Sequence, residues 1–194
     1  GRARVHAVTC ATLAPGAVQS TLNRLIAAAP GTWLYWGYNA EYLFYPFSET
    51  RGPAALLSFH SEEHRAAMQT YVIDLYAADL ARHPSGVDTA TAHLDRLGYF
   101  AEARPGADGR PKERQLDFYG GLRWRFEEHV PPRSRTVGRI ALFRAAPGLA
   151  MRADFSLNDE EMNTYACPWH HNLTAAVCSF RAAKALRANA GSRF

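Results

Sequence analysis

A chain of 194 residues with 47% apolar and 21% charged side chains can bury a hydrophobic core and is too apolar for a disordered segment, so one domain over residues 1–194 is expected. The net charge of +4 comes from arginine, since Lys112 and Lys184 are the only lysines; without a dense basic run carrying interleaved aromatics it suits contact with phosphates and excludes a nucleic-acid groove. No apolar run reaches the roughly 18 residues that cross a bilayer, the start GRARVHAVTC lacks a secretory core, and Cys10, Cys167 and Cys178 have no CxxC spacing, so reduced thiols and a cytoplasmic location are expected.

Residues 5–10 alternate enough for a short strand, and Ala14-Pro15-Gly16 opens a helix in which Val18, Leu22, Leu25, Ile26 and Ala29 share one face. Pro30-Gly31 ends it. A strand region over residues 33–45 follows, and strand, helix, strand is the order of a crossover unit in a partly parallel sheet. Pro53 starts a second helical stretch, and Ser61 with Glu62 and Glu63 suits the cap of a further one. Met68, Tyr71, Val72, Leu75 and Tyr76 fit helical spacing, but TYVIDLY over residues 70–76 is equally a β-rich strand; periodicity leaves both open. Residues 91–97 read as short helical or irregular structure, and residues 104–113 (RPGADGRPKE) as a mobile loop. Gly120-Gly121 and Pro131-Pro132 break the chain, residues 137–144 and 174–180 read as strands, and residues 182–188 as a closing helix.

Three groups of residues carry candidate chemistry. In TWLYWGYNAEYLFYP (residues 32–46) apolar flanks enclose a small polar turn, so that Tyr38, Asn39 and Glu41 are presented at a strand end, where open α/β sheets place ligands. His60-Ser61-Glu62-Glu63-His64 spells H-x-x-E-H; on a helix His60 and His64 would lie one turn apart near Glu63 and grip zinc, or else form a solvated helix start. Cys167-Pro168-Trp169-His170-His171-Asn172 gathers a thiol, two imidazoles and an indole. It reads as a Cys/His pair, as a sugar contact through Trp169 and His170, or as a loop packing its indole on the core.

Six short segments, in order over residues 33–181, resemble bacterial family 2 glycosyltransferases of the GT-A fold. Trp33 followed by Tyr38-Asn39-Ala40-Glu41-Tyr42-Leu43 and Pro46 resembles a W-x-x-x-x-D-A-D-E-F-L-x-x-P strand, and Tyr71-Val72-Ile73-Asp74-Leu75-Tyr76 resembles M-x-D-M-Y. Leu94-Asp95-Arg96-Leu97-Gly98-Tyr99 is similar to F-D-R-S-G-Y, and Tyr119-Gly120-Gly121-Leu122-Arg123-Trp124-Arg125-Phe126 to a Gly-Gly-x-R-x-R-x-F loop. Arg139-Ile140-Ala141-Leu142-Phe143-Arg144 resembles K-I-P-L-x-R, and residues 175–181 resemble a terminal L-L-H-F-K-F strand. The resemblance favours a strand at residues 70–76.

It implies an α/β fold with a mixed, partly parallel sheet flanked by helices, similar to the carboxy-terminal two thirds of a GT-A domain. The usual nucleotide-binding half would then be missing ahead of Val5, making the chain a piece of a longer enzyme, a partner to another chain, or a relative with a lost or replaced donor site. The implied reaction is sugar transfer from a nucleotide sugar to a glycan or lipid-linked acceptor. The family's two aspartates for a divalent cation (Mn²⁺ or Mg²⁺) align with Tyr38 and Ala40, and its terminal histidine with Cys178, so the expected metal ligands are replaced and no metal site is assigned. Asp117 is the first expectation for the general base and Glu41 the second. Tyr38, Asn39, Tyr119, Gly120, Gly121, Arg123, Arg125, Trp169 and His170 are the expected substrate contacts, with Arg123 and Arg125 replacing the metal's charge. The rivals are a catalytically inactive relative acting as a binding module, and a zinc hydrolase built on His60, Glu63 and His64.

Overall fold

A computed structural model of the chain describes residues 11, 14–163 and 174–192. The expected strand at residues 5–10 and the cluster from Cys167 to Asn172, with Trp169 and His170, lie outside the described residues.

Helix α1 (Ala17–Ala28) follows Gly16, whose left-handed backbone (φ 74°) suits a glycine. It buries Leu22 and Ile26 against Trp36, Ile140 and Phe143; Leu25, expected on the same face, is half exposed. Strands β1 (Trp33–Tyr35) and β2 (Glu41–Phe44) come next. Then follow α2 (Pro53–Glu62), β3 (Ala67–Ala77), β4 (Ala92–Leu94), a hairpin of β5 (Phe100–Pro105) and β6 (Pro111–Tyr119), and the short α3 (Gly121–Arg125). Strands β7 (Gly138–Arg144) and β8 (Ala175–Ser179) and helix α4 (Arg181–Ala188) complete the fold.

The main sheet is mixed, in the order β1-β7-β3-β8-β2, with β4 added along the end of β3. Only β3 and β8 run parallel; each other pair in it is antiparallel. The expected α/β class with a mixed sheet therefore holds. Of the opening strand, helix, strand unit, the first strand lies outside the described residues, and the region expected as one strand over residues 33–45 is two, with β1 antiparallel to β7 and β2 antiparallel to β8. Consecutive strands thus occupy opposite edges, and residues 36–40 carry the chain from one edge to the other.

A bulge makes that passage possible. Met68 of β3 faces Leu142 of β7 while Gln69 faces Ile140, so Ala141 is an extra residue in β7. The shift turns Ile140 and Phe143 into one core cluster. It also coincides with carbonyls serving the crossing segment: the Trp36 backbone N–H donates to Ala141 O at 3.0 Å and its indole N–H to Ile140 O at 2.8 Å.

Strand β3 alternates as a half-covered strand should, with Met68, Thr70, Val72 and Asp74 buried on one face and Gln69, Tyr71, Ile73 and Leu75 half-buried on the other. The tertiary context decides the open reading of residues 70–76: β7 and β8 flank this segment, and their ladders satisfy its backbone. Other expectations fail for similar reasons. Ser61 caps nothing, since α2 runs through it to Glu62. Residues 92–94 pair with Leu75, Tyr76 and Ala77 as a strand. The polar stretch at residues 104–113 is no open loop but the tip and flanks of the β5–β6 hairpin, where Asp108 and Gly109 supply the turn chemistry.

Candidate functional site

Three neighbouring strands each carry a polar residue, two of them carboxyls, and the sheet aligns them. In β2, β8 and β3 the residues Glu41, Ser179 and Asp74 lie directly opposite one another, so their side chains project from the same face. Arg139 of β7 lies opposite Thr70, two residues before Val72 and four before Asp74, and shares that face.

The Glu41 side chain is 0% exposed and that of Arg139 is 9% exposed. Arg139 donates from Nη2 to Glu41 Oε2 at 2.6 Å and from Nη1 to Oε1 at 3.3 Å, a bidentate pair. The Tyr38 N–H also donates to Oε2 at 2.8 Å and the Ser179 hydroxyl to Oε1 at 3.2 Å. Burial acts most strongly on this carboxyl and would raise its pKa, yet the Arg139 hydrogen bonds and charge, the Tyr38 amide and Arg181 together lower it. Asp74, also 0% exposed at its side chain, is gripped by Arg123 through Nε at 2.9 Å to Oδ2 and Nη2 at 3.2 Å to Oδ1. Here burial outweighs Arg123 and shifts the carboxyl upward.

Above this layer lies a cleft of about 350 Å³. Its walls include Trp36, Tyr38 and Phe155, the four arginines Arg123, Arg133, Arg139 and Arg181, and Asp154 with His129. The rings and guanidinium groups stack: Arg139 sits over Trp36 at 4.5 Å, Arg181 over Tyr38 at 3.5 Å, and Phe155 stacks on Trp36 at 5.1 Å. Phe155 holds φ 62°, a conformation rare for a bulky residue, directly in the cleft wall. The Arg139 Nε–H is buried without an acceptor among the described residues. An orphaned donor of this kind costs on the order of 1–3 kcal/mol unless something accepts from it.

The arginines are not equivalent. Arg139 and Arg123 are each matched to a buried carboxylate, and Arg123 also donates to the Thr136 carbonyl at 3.1 Å. Arg181, 44% exposed, approaches Glu41 only at 3.9 Å. Arg133 is exposed and has no carboxylate partner among the described residues.

Of the described residues expected at the site, Tyr38 and Arg123 line this cleft and the others lie elsewhere. Asn39 is exposed in the turn and is not part of the wall. Arg125, 57% exposed, turns away to pair with Asp95 at 3.0 Å and does not line the cleft. Asp117 lies on β6 and is tied to Arg104 at 2.7 Å, also outside the lining. Tyr119 stacks on Phe100 at 5.1 Å. Gly120 (φ 148°) and Gly121 (φ 63°) form a bend onto which Tyr99 packs so closely that a Cβ on Gly120 would fall on its ring. Trp36, His129, Arg133, Arg139, Asp154, Phe155 and Arg181 are among the wall residues not expected from the sequence. The available signal was a charge inside an otherwise apolar strand, as in Asp74 and Arg139.

The pair expected to grip zinc is pulled apart. His60 is buried on α2, whereas His64 lies past the helix end at φ 55°, so the two do not share a helical face. Among the described residues no group of three His, Cys, Asp or Glu side chains is arranged to hold a metal. No helix there is long and apolar enough to cross a membrane.

No protein-family model, curated protein or solved structure matches the chain.

Proposed function

We propose that this chain is a glycosyltransferase-like protein whose cleft binds the diphosphate of a nucleotide sugar. One observation carries the reading: the cleft unites the aromatic turn before Glu41 with arginines from four further segments, giving ring faces and unneutralised guanidinium charge in one cavity. In the transfer, an acceptor hydroxyl oxygen forms a bond to the sugar's anomeric carbon. The bond from that carbon to the diphosphate breaks with its electron pair, and the hydroxyl proton passes to a base.

Asp154 is the base this reading favours, since among the described residues it is the carboxylate in the cleft wall. Burial pushes its pKa up most strongly, but the hydroxyl and amide of Ser156, both bonded to Oδ1, and the Arg104 charge bring it below the usual range. It is therefore ionised at neutral pH and able to accept a proton. Asp117 and Glu41, the earlier expectations, are each committed to an arginine.

That commitment also favours a second reading, a relative that binds the nucleotide sugar without turning it over. Release of nucleoside diphosphate from UDP-, GDP- and dTDP-sugars, with mixed glycan and lipid-linked acceptors, separates the two. Turnover that survives unchanged in Asp154→Asn would remove Asp154 from the chemistry, and binding without turnover would establish the silent relative.

A further inference from the structure

The family resemblance implies a divalent cation between the protein and the donor's phosphates, and the residues present do not fit one. Of the three positions concerned, Tyr38 carries a ring covered by Arg181 at 3.5 Å and Ala40 has no donor side chain. Cys178 precedes Ser179 on β8, so alternation turns it to the opposite face of the sheet from the Glu41 and Asp74 row. Glu41, the carboxylate remaining in that turn, is 0% exposed and has both oxygens engaged by Arg139. A hard dication needs several open oxygen ligands, and here it would have to displace one guanidinium and stand beside a second.

Resting on the nucleotide-sugar reading, we infer that the cleft binds a diphosphate without a divalent cation, on Arg181 and Arg133. Arg139 and Arg123 are each spent on a buried carboxylate, whereas Arg181 and Arg133 remain as positive charge at the cavity wall. Guanidinium groups present forked donors that match phosphate oxygens, which a metal otherwise clamps. Arg181 is already ordered by its stacking on Tyr38, so little side-chain freedom is lost when a phosphate docks. Asp154 is the carboxylate in the wall among the described residues, and its charge repels a diphosphate from its own part of the cavity.

The test is calorimetric titration of the full chain with UDP and with inorganic pyrophosphate, in EDTA and in Mn²⁺, with intrinsic tryptophan fluorescence as a second readout. Affinities in EDTA and Mn²⁺ should agree within about threefold, and both Arg181→Ala and Arg133→Ala should weaken binding by about 10- to 100-fold, with unchanged far-UV dichroism. Raising salt should weaken the wild type more than either variant. Binding of UDP only in Mn²⁺ would overturn the inference and leave the nucleotide-sugar reading standing. Undiminished binding to both arginine variants in EDTA would overturn the assignment to these residues. Absence of heat and of fluorescence change under either condition would overturn the inference and the underlying reading together.

Discussion

Replacing Glu41 by glutamine probes the buried layer on which the cleft rests. Glutamine keeps the shape and can still accept from the Tyr38 amide, but it removes the charge that balances Arg139, a guanidinium only 9% exposed, and leaves Arg181 at 3.9 Å without its nearest anion. Breaking one side of a buried ion pair costs about 3–5 kcal/mol, because the survivor stays desolvated and unpaired. For a chain of this length each kcal/mol moves Tm by about 2–4 °C, so Glu41→Gln should melt about 6–20 °C lower. The double variant Glu41→Gln/Arg139→Met removes the stranded charge and places a thioether under Trp36 in its stead. It should recover about 1–4 kcal/mol relative to the single variant. Urea unfolding followed by far-UV dichroism measures all three proteins at one pH. A loss below about 1 kcal/mol for Glu41→Gln, or a double variant less stable than the single one, would refute the description of Glu41 and Arg139 as a desolvated pair.

Arg123→Met should expose the upward shift of Asp74: a carboxyl whose folded pKa is raised binds protons more tightly in the folded state, so stability falls as pH rises from the unfolded carboxylate value through the folded one. The variant's stability should therefore drop more steeply than the wild type's between acid and neutral pH, and parallel curves would contradict the pairing. Glu160 gives the opposite sign. Hydrogen bonds from Gln115, Arg152 and Lys112 lower its pKa to about 2, so its contribution is present above the usual carboxylate range and vanishes as pH falls toward that value. At a half-exposed carboxylate solvent screening leaves about 1 kcal/mol, and urea midpoints of Glu160→Gln and wild type should differ at pH 6 yet converge near pH 2. Ala40 holds φ 62° in the crossing segment, where a Cβ is unfavourable, so Ala40→Gly should gain about 0.5–1 kcal/mol in the same assay. A loss of stability there would mean that the alanine methyl has a packing role.

Much of the local structure was legible because it depends on neighbours in the chain. The position of α2 follows from Pro53, that of α1 from the stop at Pro30-Gly31, and those of β7 and β8 from the apolar runs at residues 140–143 and 175–178. The β5–β6 hairpin was missed because residues 104–113 carry Gly, Pro and charge, which mark a turn but do not reveal that the flanking residues pair. In the candidate site, Tyr38, Glu41 and Arg123 could be singled out from the sequence, while Arg139 and Asp74 stood out only as members of segments that resemble the family and received no role.

By itself the sequence determined the α/β class, the arginine-borne positive charge and the polar turn ending in Glu41, since composition and short-range periodicity act within a few residues. Which charges meet was decided only by the tertiary structure. Glu41 and Arg139 are 98 residues apart in the chain and 2.6 Å apart in space. That contact exists because the order β1-β7-β3-β8-β2 and the extra residue Ala141 set the register of distant strands. Register is a collective outcome of packing whole strands against one another, and no local pattern encodes it.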